Sequence, residues 1–111
     1  MKHWVCVLSL ALLLLPGAGL RAQDAIDLYN RGNEKSRQGD WHGAMRDYTQ
    51  AIQRNPGFAE AYINRGRAKG ELGDWSGAKA DQDQAITLNP NSSVAYDNRG
   101  VARSKLGDLR G

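Results

Sequence analysis

The sequence predicts an all-α array of helical hairpins, and three observations carry that reading. The triplet Asn30-Arg31-Gly32 returns as Asn64-Arg65-Gly66 and again as Asn98-Arg99-Gly100, at one constant interval and without an insertion. Apolar and small residues recur every three or four positions, as in Tyr62, Gly66, Gly70 and Leu72, which makes one buryable stripe on a helix. Gly-Asp and Asn-Pro pairs punctuate the pattern at the same step: Gly39-Asp40, Gly73-Asp74 and Gly107-Asp108, then Asn55-Pro56 and Asn89-Pro90. A fixed period of this length is the mark of stacked supersecondary units, none of which can bury its apolar face alone.

The segment from Met1 to Ala22 stands apart from that array. Met1-Lys2-His3 is a short basic start, Trp4 to Leu15 is an apolar run with Ser9 as its one polar residue, and Leu20-Arg21-Ala22 ends on a small side chain after Pro16-Gly17. This is the layout of a cleavable secretory signal, with cleavage expected after Ala22 and an exported product, periplasmic or secreted. The run is shorter than the roughly 20 residues that span a bilayer, so the membrane enters only through the export signal. A retained anchor is the competing reading. Cys6, the only cysteine, lies inside the run, and residues 23–111 contain none. Stability must then come from packing without disulfides.

Residues 23–111 are expected to form one domain, with units at 25–58, 59–92 and an incomplete 93–111. First helices are predicted over 25–38, 59–72 and 93–106, and second helices over 41–54 and 75–88. Gly39, Gly73 and Gly107 close each first helix, because glycine accepts the left-handed conformation that ends a helix. Asp40, Asp74 and Asp108 can cap the amides that open the next one. Proline ends the second helices, since it has no amide to continue the ladder. Gly32, Gly66 and Gly100 fall in mid-helix, at about 1 kcal/mol each against alanine. Close approach of the paired helix, with Ala44, Ala51, Ala78 and Ala85 as its small surfaces, is the expected compensation.

Chemistry finds little to use here. The formal charge is +3, but Lys2 and Arg21 both precede Gln23, and from Gln23 onward basic and acidic side chains nearly balance. That balance lacks the basic footprint of a nucleic-acid binder. His42 is a lone turn histidine, no nucleophile has a triad-like setting, and no His/Asp/Glu cluster has metal-ligand spacing. No cofactor is implied, and the chain reads as a non-enzyme. Asp81 and Asp83 point in different directions on one helix and read as a solvated face.

The repeating helix pair with Tyr62, Gly66, Leu72-Gly73-Asp74-Trp75, Gly77-Ala78, Ala85-Ile86 and Asn89-Pro90 resembles the tetratricopeptide repeat (TPR), over essentially all of residues 25–111. The resemblance implies a right-handed αα-hairpin solenoid of about two and a half units, whose first helices line one shallow groove. It also implies a protein or extended peptide as partner, bound by a scaffold or adaptor. The groove positions are then Tyr29, Asn30, Asn33, Ile63, Asn64, Arg67, Asn98 and Val101. Asn30, Asn64 and Asn98 make a ladder of carboxamides able to pair with peptide main chain. Two readings of the ladder are open: ligand contact, or bridges between neighbouring helices.

Relatives that hold a C-terminal carboxylate use Lys and Asn on the first helix, Asn on the third, and Lys and Arg on the fifth. Asn33 and Asn64 fit that pattern. Tyr29, Val94 and Asn98 stand where its cations belong, so such a clamp is not expected. Gln82 replaces the aromatic found at Tyr48, which predicts looser packing in unit two. Arg31, Arg65 and Arg99 read as surface partners of acids in adjacent units, and Trp41 and Trp75 as core wedges. In unit three Val94, Tyr96, Val101, Leu106 and Leu109 have no second helix to meet up to Gly111, so fraying or end-to-end self-association is expected. Two rival readings are a repeat segment of a longer exported protein with an enzymatic domain after residue 111, and a purely structural self-associating unit.

Overall fold

The computed structural model describes residues 17–107. They form five helices: α1 (Gly17–Arg37), α2 (Trp41–Arg54), α3 (Ala59–Glu71), α4 (Trp75–Leu88) and α5 (Ser93–Lys105). Helices α1 and α2 pair as one hairpin and α3 and α4 as the next, while α2 against α3 and α4 against α5 join successive units. The first helices also touch one another, α1 to α3 and α3 to α5, and so lie side by side. The result is an all-α helical-repeat solenoid, with no strand among the described residues.

The turns follow directly from their residues. Gly39 and Gly73 adopt φ of 79° and 87°. That conformation lets Gly39 N–H donate to the Ser36 carbonyl at 3.0 Å and Asp40 N–H to the Lys35 carbonyl at 2.8 Å, closing α1. The same aspartate then opens α2, its Oδ1 accepting from Gly43 N–H at 2.9 Å. Asp74 repeats the arrangement with Gly77 at 2.9 Å. One Gly-Asp pair thus ends one helix and begins the next.

Helix α1 begins at Gly17, earlier than the expected start at Ala25. Leu20, Arg21, Ala22 and Gln23 are good helix formers with no proline among them, so the helix runs back through them. Residues 1–16 of the expected export signal lie outside the described residues, as do Asp108 and Leu109. No helix among the described residues is long and apolar enough to cross a membrane.

The core is built largely of alanine. Ala44, Ala51, Ala61, Ala68, Ala85 and Ala95 are fully buried, and Ile63 packs with Ala85 and Ala95 where units two and three meet. Small side chains let helix axes approach, and the mid-helix glycines extend that approach. A Cβ on Gly32 would lie 2.6 Å from the Tyr48 ring, and one on Gly66 would lie 2.5 Å from Gln82 Nε2. At Gly100 a Cβ would meet nothing within 4 Å.

The ion pairs correct what the sequence suggested for the charged residues. Asp81 is not on a solvated face; it is 4% exposed. It accepts from Arg65 Nη2 at 2.7 Å and Nε at 2.9 Å, and Lys69 Nζ stands 3.1 Å away. Arg31 does the same for buried Asp47, at 2.8 and 3.0 Å, with Lys35 at 2.9 Å. These pairs therefore lie within a unit and seat a buried carboxylate, in place of the expected surface pairs between units. Arg99 does cross between units, to Asp83 at 3.2 Å. Asp47 and Asp81 are one repeat apart, as are Lys35 and Lys69, so the period itself carried the signal. Burial pushes the Asp47 carboxyl up, but its bonds to Arg31 and Lys35 outweigh that and hold its pKa below the usual carboxylate value.

The expected looseness at Gln82 takes a specific form. The side chain is 1% exposed, and its Nε2 donates to the Ile63 carbonyl at 3.0 Å, so the site is filled. Its Oε1, however, is buried without a partner. In unit three Val94, Tyr96, Val101 and Leu106 are exposed, with no described helix to cover them.

Candidate peptide-binding groove

The row of first helices carries two cavities, one at each junction between units. The first, about 340 Å³, is lined by Asn33, Ser36, Arg37, Trp41, Tyr48, Asn64 and Arg67. Its floor is a hydrogen-bonded network. Tyr48 Oη donates to Asn33 Oδ1 at 2.7 Å and lies 3.0 Å from Ser36 Oγ. Asn64 Nδ2 donates to the same Asn33 Oδ1 at 2.9 Å and to Tyr29 Oη at 3.0 Å. Burial raises the Tyr48 pKa, so the phenol stays protonated and keeps its role as donor.

Behind that floor Tyr29 packs on Phe58, with ring centroids 4.8 Å apart, and on Tyr48 at 5.9 Å. Phe58 makes no side-chain cap for α3. Its ring serves the junction instead. Asn33, Tyr29 and Asn64 are thereby locked across two units, which gives the first cavity a preorganised wall.

The second cavity, about 140 Å³, is lined by Gly66, Arg67, Glu71, Trp75, Ala78, Gln82, Asn98 and Val101. Arg67 belongs to both cavities, is exposed, and makes no ion pair among the described residues.

Of the groove positions read from sequence, Asn33, Asn64, Arg67, Asn98 and Val101 line the cavities, and Tyr29 supports them through Asn64. Ile63 is a correction. It is 8% exposed and belongs to the core between units two and three, where it packs against Ala85 and Ala95. Asn30 is a second correction: it is exposed and lines neither cavity. The carboxamides therefore do not form a uniform ladder. Asn64 bridges helices through its amide group, as the alternative reading had it.

Sequence reading missed Ser36, Arg37, Trp41, Tyr48, Glu71, Trp75 and Gln82 as lining residues. Trp41 and Trp75 are half-buried and edge the cavities, so they are more than core wedges. The repeat step that relates Trp41 to Trp75 was the available signal. Among the described residues no cluster of three His, Cys, Asp or Glu side chains could hold a metal ion.

A tetratricopeptide repeat family model matches residues 59–92. The second TPR domain of Spaghetti (RPAP3), solved bound to the HSP90 peptide SRMEEVD, superposes with a TM-score of 0.81 at 31% identity, covering 86% of this chain and 88% of that one. The chain belongs to the TPR family. Other similar structures are the TPR domain of Arabidopsis OM64, with a TM-score of 0.79 at 29% identity over 81% of this chain and 74% of that one, and the TPR2B domain of yeast Sti1 in an Hsp70 complex, with 0.76 at 31% identity over 78% and 69%. This TPR chain shares with them the hairpin stack, while its cavity linings follow from its own residues.

Proposed function

We propose that this TPR chain is a non-catalytic module that binds an extended peptide in its groove and acts as a scaffold or adaptor outside the cytoplasm. The observation that carries the reading is the first cavity. Its wall of Asn33, Tyr48 and Asn64 is already hydrogen-bonded, so little order has to be imposed when a ligand arrives. Arg67 lines it without an ion pair among the described residues and offers a cation to an acidic side chain. The HSP90 peptide held by the Spaghetti domain is acidic, which supports the same ligand chemistry for this groove.

The manner of binding differs from a carboxylate clamp. Tyr29, Val94 and Asn98 supply no cation for a chain terminus, so acidic side chains, and not the terminal carboxylate, are the groups recognised. Placement outside the cytoplasm rests on the basic start, the apolar run from Trp4 to Leu15 and Leu20-Arg21-Ala22. N-terminal sequencing of the expressed protein checks it: the expected product begins at Gln23, and a full-length, membrane-retained product overturns it.

Labelled SRMEEVD, with a free or an amidated C-terminus, tests the groove by fluorescence polarisation. Both forms are expected to bind alike, and Arg67→Ala to weaken both by about tenfold, the worth of one charge-assisted hydrogen bond. No binding by either form, or equal binding by Arg67→Ala, overturns the reading. Tight binding of the free-acid form alone restores the clamp.

A second reading, end-to-end association of two chains, rests on the exposed Val94, Tyr96, Val101 and Leu106 of α5. Sedimentation at rising concentration decides it.

A further inference from the structure

The two cavities are one site repeated with altered chemistry. Asn33, Arg37, Trp41, Tyr48, Asn64 and Arg67 of the first become, one repeat later, Arg67, Glu71, Trp75, Gln82, Asn98 and Val101 of the second. The consequences show in the hydrogen bonds. At the first junction Asn64 Nδ2 is satisfied by Tyr29 Oη and Asn33 Oδ1. At the second, the residues in those places are Ile63 and Arg67, and neither side chain can accept a hydrogen bond. Asn98 Nδ2 is accordingly buried with no partner.

Gln82 repeats the contrast. Tyr48 in unit one hydrogen-bonds to Asn33 and Ser36. Gln82, 1% exposed, spends its Nε2 on the Ile63 carbonyl and leaves Oε1 without a donor. Buried polar atoms are almost always paired, and leaving one unpaired carries a large desolvation penalty. Here one orphan acceptor and one orphan donor belong to residues that line the same cavity. Its 140 Å³ far exceeds the roughly 30 Å³ share of a single water.

We propose that this second cavity is a recognition subsite for a carboxamide, the side chain of a glutamine or asparagine in the bound peptide; the proposal rests on the groove reading above. One carboxamide carries both complements. Its NH2 donates to Gln82 Oε1, and its oxygen accepts from Asn98 Nδ2. Both protein atoms are screened from solvent in the free chain. Both terminal amides would therefore have to turn toward the cavity to meet the ligand. Trp75, Ala78 and Val101 provide apolar walls for the aliphatic stem. Arg67 lines both cavities, but Glu71 at the second offsets its charge, whereas the first has Arg37 in that place, so the isosteric carboxylate is favoured at the first cavity and not at the second. The groove then reads an acidic residue at one junction and an amide at the next, which gives the peptide a direction.

Selection of a random octapeptide library, displayed on phage, against the full chain tests this. Wild-type binders are expected to enrich Gln or Asn at one position and Asp or Glu at another. Replacing the enriched amide by Leu in a synthetic binder should weaken binding about tenfold, as two neutral hydrogen bonds are lost. Gln82→Tyr restores the unit-one residue over the glycine that accommodates it in unit one, and Asn98→Ala removes the donor. Both variants should abolish the Gln/Asn enrichment and bind the amide-containing peptide about tenfold more weakly, while the binders they select still enrich the acidic position. Binders without amide enrichment, or with the same enrichment on Gln82→Tyr, overturn the subsite and leave the groove standing. A library that yields no binders overturns the groove, and the subsite with it.

Discussion

On α3, Gly66 and Gly70 are buried and Tyr62 and Lys69 are half-buried. On α5, one repeat later, Gly100, Ser104, Tyr96 and Arg103 are all exposed. The residue pattern is nearly the same, yet α3 is covered by α4 and no described helix covers the corresponding face of α5. Arg65 therefore closes on buried Asp81, while Arg99 swings to the half-exposed Asp83 of the preceding unit. In a repeat array, then, the value of a side chain belongs to its place in the stack, not to its local sequence.

The largest test of that comparison removes the ion pairs. Arg65→Ala leaves Asp81 buried with only Lys69, and should cost about 3 kcal/mol, the usual scale for breaking a buried pair. Arg99→Ala removes a partner from Asp83, which keeps Lys79 at 3.0 Å, and should cost under about 1 kcal/mol. Urea unfolding of both variants reads the difference, and equal losses would break the comparison.

Next in size are the glycines. Gly66→Ala puts a methyl 2.5 Å from Gln82 Nε2 and 3.1 Å from the Ala78 carbonyl, and should destabilise by about 1–2 kcal/mol despite better helix propensity. Gly100→Ala meets nothing within 4 Å and should stabilise by up to about 1 kcal/mol. Opposite signs in thermal melts are the expected outcome. Two losses would mean that the α5 face is covered in solution, which would sharpen the case for self-association.

Hydrogen exchange gives a gentler reading of the same contrast. Amides of α5 should exchange faster than those of α3, because fewer buried contacts oppose local opening. Comparable protection would again point to a covered face.

Acid titration is the smallest expected effect. The Asp47 and Asp83 carboxyls would be raised by burial, but hydrogen bonds from Arg31 and Lys35, and from Lys79 and Arg99, bring both below the ordinary value. A depressed folded pKa means that the unfolded chain takes up protons first. The stability these groups provide is complete above about pH 4 and is lost as pH falls below it. Asp47→Asn should therefore flatten the loss of stability below about pH 4. An unchanged slope would place the acid sensitivity elsewhere.

Short-range chemistry was legible in the sequence alone. Gly39-Asp40 and Gly73-Asp74 end and begin helices through bonds between near neighbours in the chain, and Asn55 and Asn89 end α2 and α4 in the same local way. The starts of α2, α3, α4 and α5, the length of the repeating unit and the family could all be read from the residues alone. Only the tertiary structure decided what each side chain meets across the hairpin. It buried Asp47 and Asp81, turned Ile63 into the core, engaged Asn64 and left Asn98 and Gln82 with unpaired amide atoms. Those outcomes depend on partners far along the chain, such as Asn33 to Tyr48 or Tyr29 to Asn64. A one-residue description of polarity cannot supply them, because a carboxylate or an amide is buried or solvated according to whether a specific cation, phenol or carbonyl arrives to replace water.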